Sequence, residues 1–245
     1  MRTKEEYEKL NRTGFEGDEF IAKRIEELCK KHSIDLILET GSRYGWTAKR
    51  LAAFAETHSC EMNATNYQIA KQNALDVMFY HMSSPKFLET MLALNKSRNI
   101  LIYLDAHGPH TTPLLEELDE IAASGVKPVI VIHDFKVPDE PKLGYDTYNN
   151  QPYTWEWIEK HLHKIYGPAC IRSYNSEVEA AGAMRGVVYI EPMTEHRLSF
   201  PEVREEQDEE PTANMEQAGF DLSNETPSPE FSLPNTDKPK KHKKK

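Results

Sequence analysis

The sequence has no apolar run as long as ten residues, far short of the roughly 20 that a membrane-spanning helix needs. Residues 1–8 are mostly polar and charged and contain no apolar core of the kind a secretory leader carries, so a soluble, cytoplasmic protein is expected. Cysteine is scarce as well. Cys29, Cys60 and Cys170 show no CxxC or paired spacing, and each falls in or beside an apolar stretch. A disulfide framework is therefore not expected, and buried free thiols in a reducing compartment are. Hydrophobic residues make up only 38% of the chain, with a mean hydropathy of -0.68. The deficit is unevenly spread, as if a polar segment diluted an ordinary core. Cationic surplus is also missing. A net charge of -10 makes the whole chain a poor nonspecific binder of nucleic acid.

The polar segment is found after residue 190. Between Pro201 and Asp237 eleven acidic residues stand against one basic residue, and the chain then ends in Lys238-Pro239-Lys240-Lys241-His242-Lys243-Lys244-Lys245. So little apolar surface cannot offset the entropy of ordering, and residues 196–245 are expected to form a disordered acidic tail ending in a lysine cluster. A solubilising tail is the plain reading. A tether to an anionic partner such as nucleic acid is the other, and it would act through the lysines alone.

What remains is long enough for one full core. Residues 1–33 read as an N-terminal helical extension, with Phe20, Ile21, Ile25 and Leu28 at helical spacing behind Asp18 as N-cap. Residues 34–195 alternate strand and helix signals. Strands are expected at 34–39, 57–61, 77–81, 99–105, 128–134 and 186–190, and helices at 46–55, 64–75, 85–94, 114–122 and 155–165. Such alternation favours a mostly parallel sheet with helices on both faces, a three-layer α/β/α sandwich.

In open α/β sheets ligands bind beyond the carboxyl ends of the strands. Three apolar strands here end in Glu39, in Asp105 and in His133-Asp134. One acid at a strand end is usually a turn cap, but three on one sheet would lie along one rim. The first strand runs into Glu39-Thr40-Gly41-Ser42-Arg43-Tyr44-Gly45. Glycines at this turn permit positive φ and close approach of a ligand. The dinucleotide fingerprint GxGxxG is not met, because Arg43 and Trp46 replace its second and third glycines. Glu61, at the end of the second strand, can accept hydrogen bonds from both ribose hydroxyls of a nucleoside.

As an ordered set these residues resemble the class I S-adenosylmethionine-dependent methyltransferases, in their small-molecule O-methyltransferase branch. Residues 38–45 look like the first motif, with Arg43 in place of its middle glycine. Glu61 matches the ribose-binding acid, residues 81–84 the segment beside the adenine, Asp105-Ala106-His107 the turn after strand four, and His133-Asp134 the end of strand five. The resemblance implies a Rossmann-like domain with seven strands in the order 3-2-1-4-5-7-6, strand seven antiparallel. It implies S-adenosylmethionine as cofactor, bound by Glu39, Gly41, Ser42, Tyr44, Gly45, Glu61, Ser83 and Asp105. Asp105, His107 and His133 would be catalytic, acting on a hydroxyl of a small molecule or glycan. Asp105 and Asp134 would hold a divalent cation such as magnesium, which lowers the hydroxyl pKa. His133 departs from that pattern, since histidine suits a softer metal or a metal-free site with a histidine base.

His107 and His110 flank the Gly108-Pro109 turn, and His107 is the first choice for the acceptor-side base. Residues 135–157 form a long aromatic segment with Tyr145, Tyr148, Tyr153, Trp155 and Trp157. It can act as a lid over the acceptor or simply pack the next helix. The competing function is a catalytically silent Rossmann-like domain that binds a nucleoside or a protein. A nicotinamide dehydrogenase is disfavoured by the failed fingerprint. A nucleic-acid methyltransferase is disfavoured by Asp105-Ala106-His107 standing where an Asn/Asp-Pro-Pro-Tyr motif belongs.

Overall fold

Side-chain burial alternates along β1 (Leu36–Thr40): Leu36 and Leu38 belong to one apolar cluster and Ile37 to another. Both faces of the strand are covered, which is why its sequence reads as a continuous apolar run. The computed structural model describes residues 4–193. Its order after α1 (Lys4–Asn11) and a short turn at Phe15–Gly17 is α2 (Glu19–Lys31), β1, α3 (Trp46–Leu51), β2 (Glu56–Cys60), α4 (Ala64–Asn73), β3 (Met78–Tyr80) and α5 (Ser84–Leu94). Then come β4 (Ile100–Leu104), α6 (Leu114–Ser124), β5 (Val129–His133), a hairpin of β6 (Thr147–Tyr148) and β7 (Gln151–Pro152), α7 (Trp155–Tyr166), β8 (Cys170–Tyr174) and β9 (Val187–Pro192).

The main sheet has seven strands in the order β3-β2-β1-β4-β5-β9-β8. The first five are mutually parallel, and β9 runs antiparallel between β5 and β8. This is the α/β order that the resemblance implies, with β9 as the antiparallel seventh strand. Helix α2 begins where expected, with Asp18 Oδ1 accepting from the Phe20 and Ile21 backbone N–H groups. Its Ile21, Ile25 and Leu28 pack with Leu51 of α3 on Ile37, Leu101, Val131 and Tyr189. On the opposite face Phe87 of α5, Leu118 of α6 and Leu162 of α7 cover Leu36, Leu38, Ile102 and Ile132. The chain from 19 to 31 is thus one wall of the sandwich.

Three elements carry no clear sequence signal. They are α1, the β6–β7 hairpin and β8. The edge strand β8 is only half-buried along most of its length, so Ile171, Arg172 and Ser173 show no apolar run. The expected helix over 46–55 stops at Leu51, where Phe54 N–H turns back to the Leu51 carbonyl. All three cysteines are free thiols, Cys29 and Cys60 buried and Cys170 half-buried. Among the described residues no helix is long and apolar enough to cross a membrane. The acidic segment and lysine cluster within residues 196–245 lie outside the described residues.

Candidate active site

The five parallel strands end along one rim, and a cleft of about 1480 Å³ opens there. Gly41 after β1, Glu61 after β2, Ser83 after β3, Asp105 after β4 and Asp134 after β5 all line it, together with His107. Residues far apart in sequence are brought together because each strand delivers its last residue to the same edge.

The turn after β1 is built for close approach. Gly41 has φ 80, and a Cβ there would sit 2.6 Å from the Asp105 carbonyl oxygen and 2.7 Å from Ala106 Cα. Only glycine fits between these two strand ends. Arg43 keeps a left-handed backbone with φ 48. Its N–H donates to Glu61 Oε2 at 2.8 Å, and Asn63 N–H donates to Glu61 Oε1 at 2.7 Å. Each carboxylate oxygen therefore anchors one loop and keeps a lone pair facing the cleft.

At the far end of the rim lies an ionic network. His133 is 3% exposed, and its Nδ1 lies 3.2 Å from both Asp105 Oδ1 and Asp134 Oδ1. Neither contact has the angle of a formed hydrogen bond. Burial opposes protonation of His133, but the two aspartates outweigh it and hold the imidazole pKa well above its ordinary value. Arg185, one residue before Gly186 at the entry to β9, donates from Nε to Asp134 Oδ1 and from Nη2 to Asp146 Oδ1. Although burial works against ionisation, His133 and Arg185 hold the Asp134 carboxyl well below the usual carboxylate range. Tyr148 donates to the other Asp146 oxygen at 2.9 Å. His107 is exposed, with Nε2 4.0 Å from Asp134 Oδ2.

Two triads bring carboxylate and imidazole atoms within 4.8 Å of one another, Asp105–His133–Asp134 and His107–Asp134–Asp146. A divalent ion fits neither well. The inward oxygens of Asp134 and Asp146 already receive Arg185. The cationic role at these acids is filled by side chains.

Several expected cofactor residues do not line the cleft. Glu39 is 1% exposed and accepts from Ser59 Oγ, and burial pushes its carboxyl up to about 8. Ser42 is buried, donating to the Cys60 carbonyl at 3.0 Å. Gly45 faces α4, where a Cβ would lie 3.0 Å from Ala70 Cα. Tyr44 stacks under the Arg43 guanidinium, 5.3 Å from its centre. His133 is too deeply buried to touch an acceptor from the cleft, so it supports the aspartates instead.

The structure adds residues that sequence reasoning passed over. Glu16 lines the cleft from the turn before α2, and burial pushes its carboxyl up. Glu117 lies buried beneath Asp105 and His107 with Oε1 unpartnered, and burial pushes it up to about 7. Its signal was present, an acid on the apolar stripe of Leu114, Leu118 and Ile121. Aromatic rings form a chain from His107 to Tyr148, Tyr153 and Trp157 with centroid spacings of 6.4, 5.8 and 5.5 Å. The aromatic segment after β5 therefore reaches the rim through Tyr148.

No family model and no curated protein matches the sequence. Among solved structures the chain is similar to an O-methyltransferase from Bacillus cereus in complex with SAH, at 16% identity over 69% of this chain and 79% of that chain, with a TM-score of 0.48. It is also similar to a proposed O-methyltransferase from Klebsiella pneumoniae, at 15% identity over 78% of this chain and 87% of that chain, TM-score 0.49. A third is a proposed caffeoyl-CoA O-methyltransferase from Staphylococcus aureus, at 14% identity over 69% and 81%, TM-score 0.46. These likenesses concern the fold.

Proposed function

We propose that the chain is an S-adenosylmethionine-dependent methyltransferase acting on a hydroxyl oxygen of a small molecule or sugar. The observation that carries this reading is the meeting of Gly41, Glu61, Ser83, Asp105 and His107 in one cleft at the strand ends. Gly41 lets the ends of β1 and β4 close together beside the cleft. Glu61 offers its free lone pairs to two ribose hydroxyls, and Met62 and Met82 supply apolar sides for a planar base. The bound cofactor would supply an activated methyl group, its C–S bond breaking to release S-adenosylhomocysteine as the carbon bonds to the acceptor oxygen in line.

The chain's own task is to place that oxygen and take its proton. His107 is the exposed base at the rim. It takes the acceptor proton at a ring nitrogen, with Nε2 4.0 Å from Asp134 Oδ2. Asp105 orients the acceptor. His133 and Arg185 hold Asp105 and Asp134 in place, with no metal in the reading.

Calorimetric titration with S-adenosylmethionine and S-adenosylhomocysteine tests this, with wild type beside Glu61→Ala and Asp105→Ala. Binding to wild type that is lost in Glu61→Ala is expected, and turnover then follows from a screen of hydroxylated acceptors. A wild type that binds neither nucleoside would sink the reading. Binding without turnover is the second reading, favoured by Arg43, whose side chain takes cleft space that a glycine leaves open.

A further inference from the structure

Glu16 is a half-buried carboxylate of the cleft that methyl transfer leaves unused. Its backbone is costly to form. Gly14, Phe15, Glu16 and Gly17 have φ of 76, 46, 51 and 81 in succession, and two of these residues carry side chains that disfavour the left-handed region. The turn is clamped on several sides. Phe15 is buried edge-on against Tyr103, with centroids 5.7 Å apart, and its N–H donates to Thr47 Oγ1 at 3.1 Å. The Glu16 carbonyl accepts from Ala183 N–H at 3.1 Å, and Asp18 Oδ2 accepts from Ala181 N–H at 3.0 Å. All of these contacts hold the main chain or its neighbours, and the Glu16 side chain is left to line the cleft.

The charges around it do not balance. While Arg43 and Lys86 of the cleft lining lie over the Tyr44 ring and against Glu89, the charges acting on Glu16 are Asp105, Asp134 and two cations, His133 and Arg185. Both cations are committed to the aspartates. Among the described residues no hydrogen bond or ion pair reaches the Glu16 carboxylate. A half-buried carboxylate without a counter-cation attracts one more strongly than a solvated acid does. Its surroundings repel an anionic acceptor for the same reason.

We propose that Glu16 is the anionic subsite for a primary ammonium group at the acceptor end of the cleft. Two sources share that chemistry, an amine-bearing acceptor and the amino-acid end of the cofactor. The second source rests on the methyltransferase reading, and the first does not.

The test compares matched probes on the full chain at pH 7.5 by calorimetry. S-adenosylhomocysteine is set against 5′-methylthioadenosine, which lacks the amino-acid end. Tyramine is set against 4-ethylphenol, which lacks the ammonium. Each pair is run on wild type, Glu16→Gln and Glu16→Asn, the last because asparagine tolerates the left-handed backbone. In one pair the ammonium member is expected to lose about tenfold in affinity in both variants while its ammonium-free partner is unchanged, as loss of a charge-assisted bond predicts. The pair that responds identifies the source. No wild-type preference for the ammonium member of either pair, or a preference unchanged in both variants, would overturn the proposal. Failure of both nucleosides to bind wild type would defeat the methyltransferase reading alone, because the tyramine pair still decides the subsite.

Discussion

Arg185 donates through Nε to Asp134, the residue that closes β5 in a left-handed conformation with φ 60. A residue just ahead of the antiparallel strand β9 thereby supplies the cation for the acid at the end of its neighbour. Replacing Arg185 with methionine leaves Asp134 and Asp146 without their shared partner. Urea unfolding is expected to show a loss near the lower end of the roughly 3–5 kcal/mol typical of a broken buried pair, since Arg185 keeps some exposure. Wild-type thermal stability is expected to be the same with millimolar magnesium as with a chelator. A magnesium-dependent rise would place a metal among these acids after all.

Buried acids set a pH dependence whose sign can be worked out. Glu39 is pushed up to about 8 chiefly by burial, against the pull of the Ser59 hydroxyl and with a further push from Asp105 and Glu61. An unfolded glutamate titrates near 4.3, so over the interval up to about 8 the folded state holds a proton that the unfolded chain releases. Stability therefore falls as pH rises through that window, by up to ~1.4 kcal/mol per pH unit for one such group. Glu117, pushed up to about 7 by burial, adds the same sign over the lower part of the window. His133, raised by its two aspartates, adds it from about pH 6.5 upward. Urea unfolding at pH 5.5, 7 and 8.5 should show this decline, and Glu39→Gln should flatten it. An unchanged slope in the variant would mean that Glu39 is ionised in the folded protein.

The parts of the site that could be read in the sequence are those that parallel strands present in the same way each time. Continuous apolar runs mark β1, β4 and β5 as strands covered on both faces, so the acids that close them had to share a rim. Asp105 and Asp134 are there, while Glu39 turned inward to Ser59, a choice of rotamer that no run of letters encodes. Arg185 stands just ahead of the final strand and carries no sequence signal of its own. Its pairing with Asp134 spans 51 positions and depends on the antiparallel return of β9. Glu16 lies in a non-periodic turn between two glycines, and its place in the cleft comes from packing against α3 and the 181–183 loop. Glu117 is the instructive miss, because a single acid on an otherwise apolar helix face is itself a signal.

Among the glycines that line the cleft, Gly41 is the position where the smallest change should do the most harm. An added methyl group would meet the Asp105 carbonyl oxygen at 2.6 Å and Ala106 at 2.7 Å, both backbone, on a φ of 80. Neither neighbour can rotate away, since Asp105 N–H is tied to the Thr40 carbonyl at 3.2 Å. Gly41→Ala is expected to cost about 3 kcal/mol or more, at the upper end of ordinary single substitutions. The same displacement of β1 from β4 should abolish nucleoside binding, read by calorimetry on whatever fraction folds. A variant as stable as wild type would mean that the two strand ends stand further apart than described.

Arg43 offers the opposite case, a residue whose side chain strains a backbone that glycine would relax. Its φ of 48 is held by the N–H bond to Glu61. Glycine at this position removes the Cβ clash of the left-handed region, worth about 1–2 kcal/mol. It also gives back about 0.5–1 kcal/mol through a more disordered unfolded chain. The first effect is the larger, so Arg43→Gly should be more stable than Arg43→Ala by up to about 1.5 kcal/mol. Both variants lose the same guanidinium and its contact over the Tyr44 ring, so the comparison isolates the backbone. Because Glu61 accepts the same N–H in either variant, affinity for S-adenosylhomocysteine should be equal in the two. Equal stability would mean the turn carries no strain at Arg43, and a lower affinity in Arg43→Gly would mean that a stiff turn, rather than Glu61 alone, presents the cofactor site.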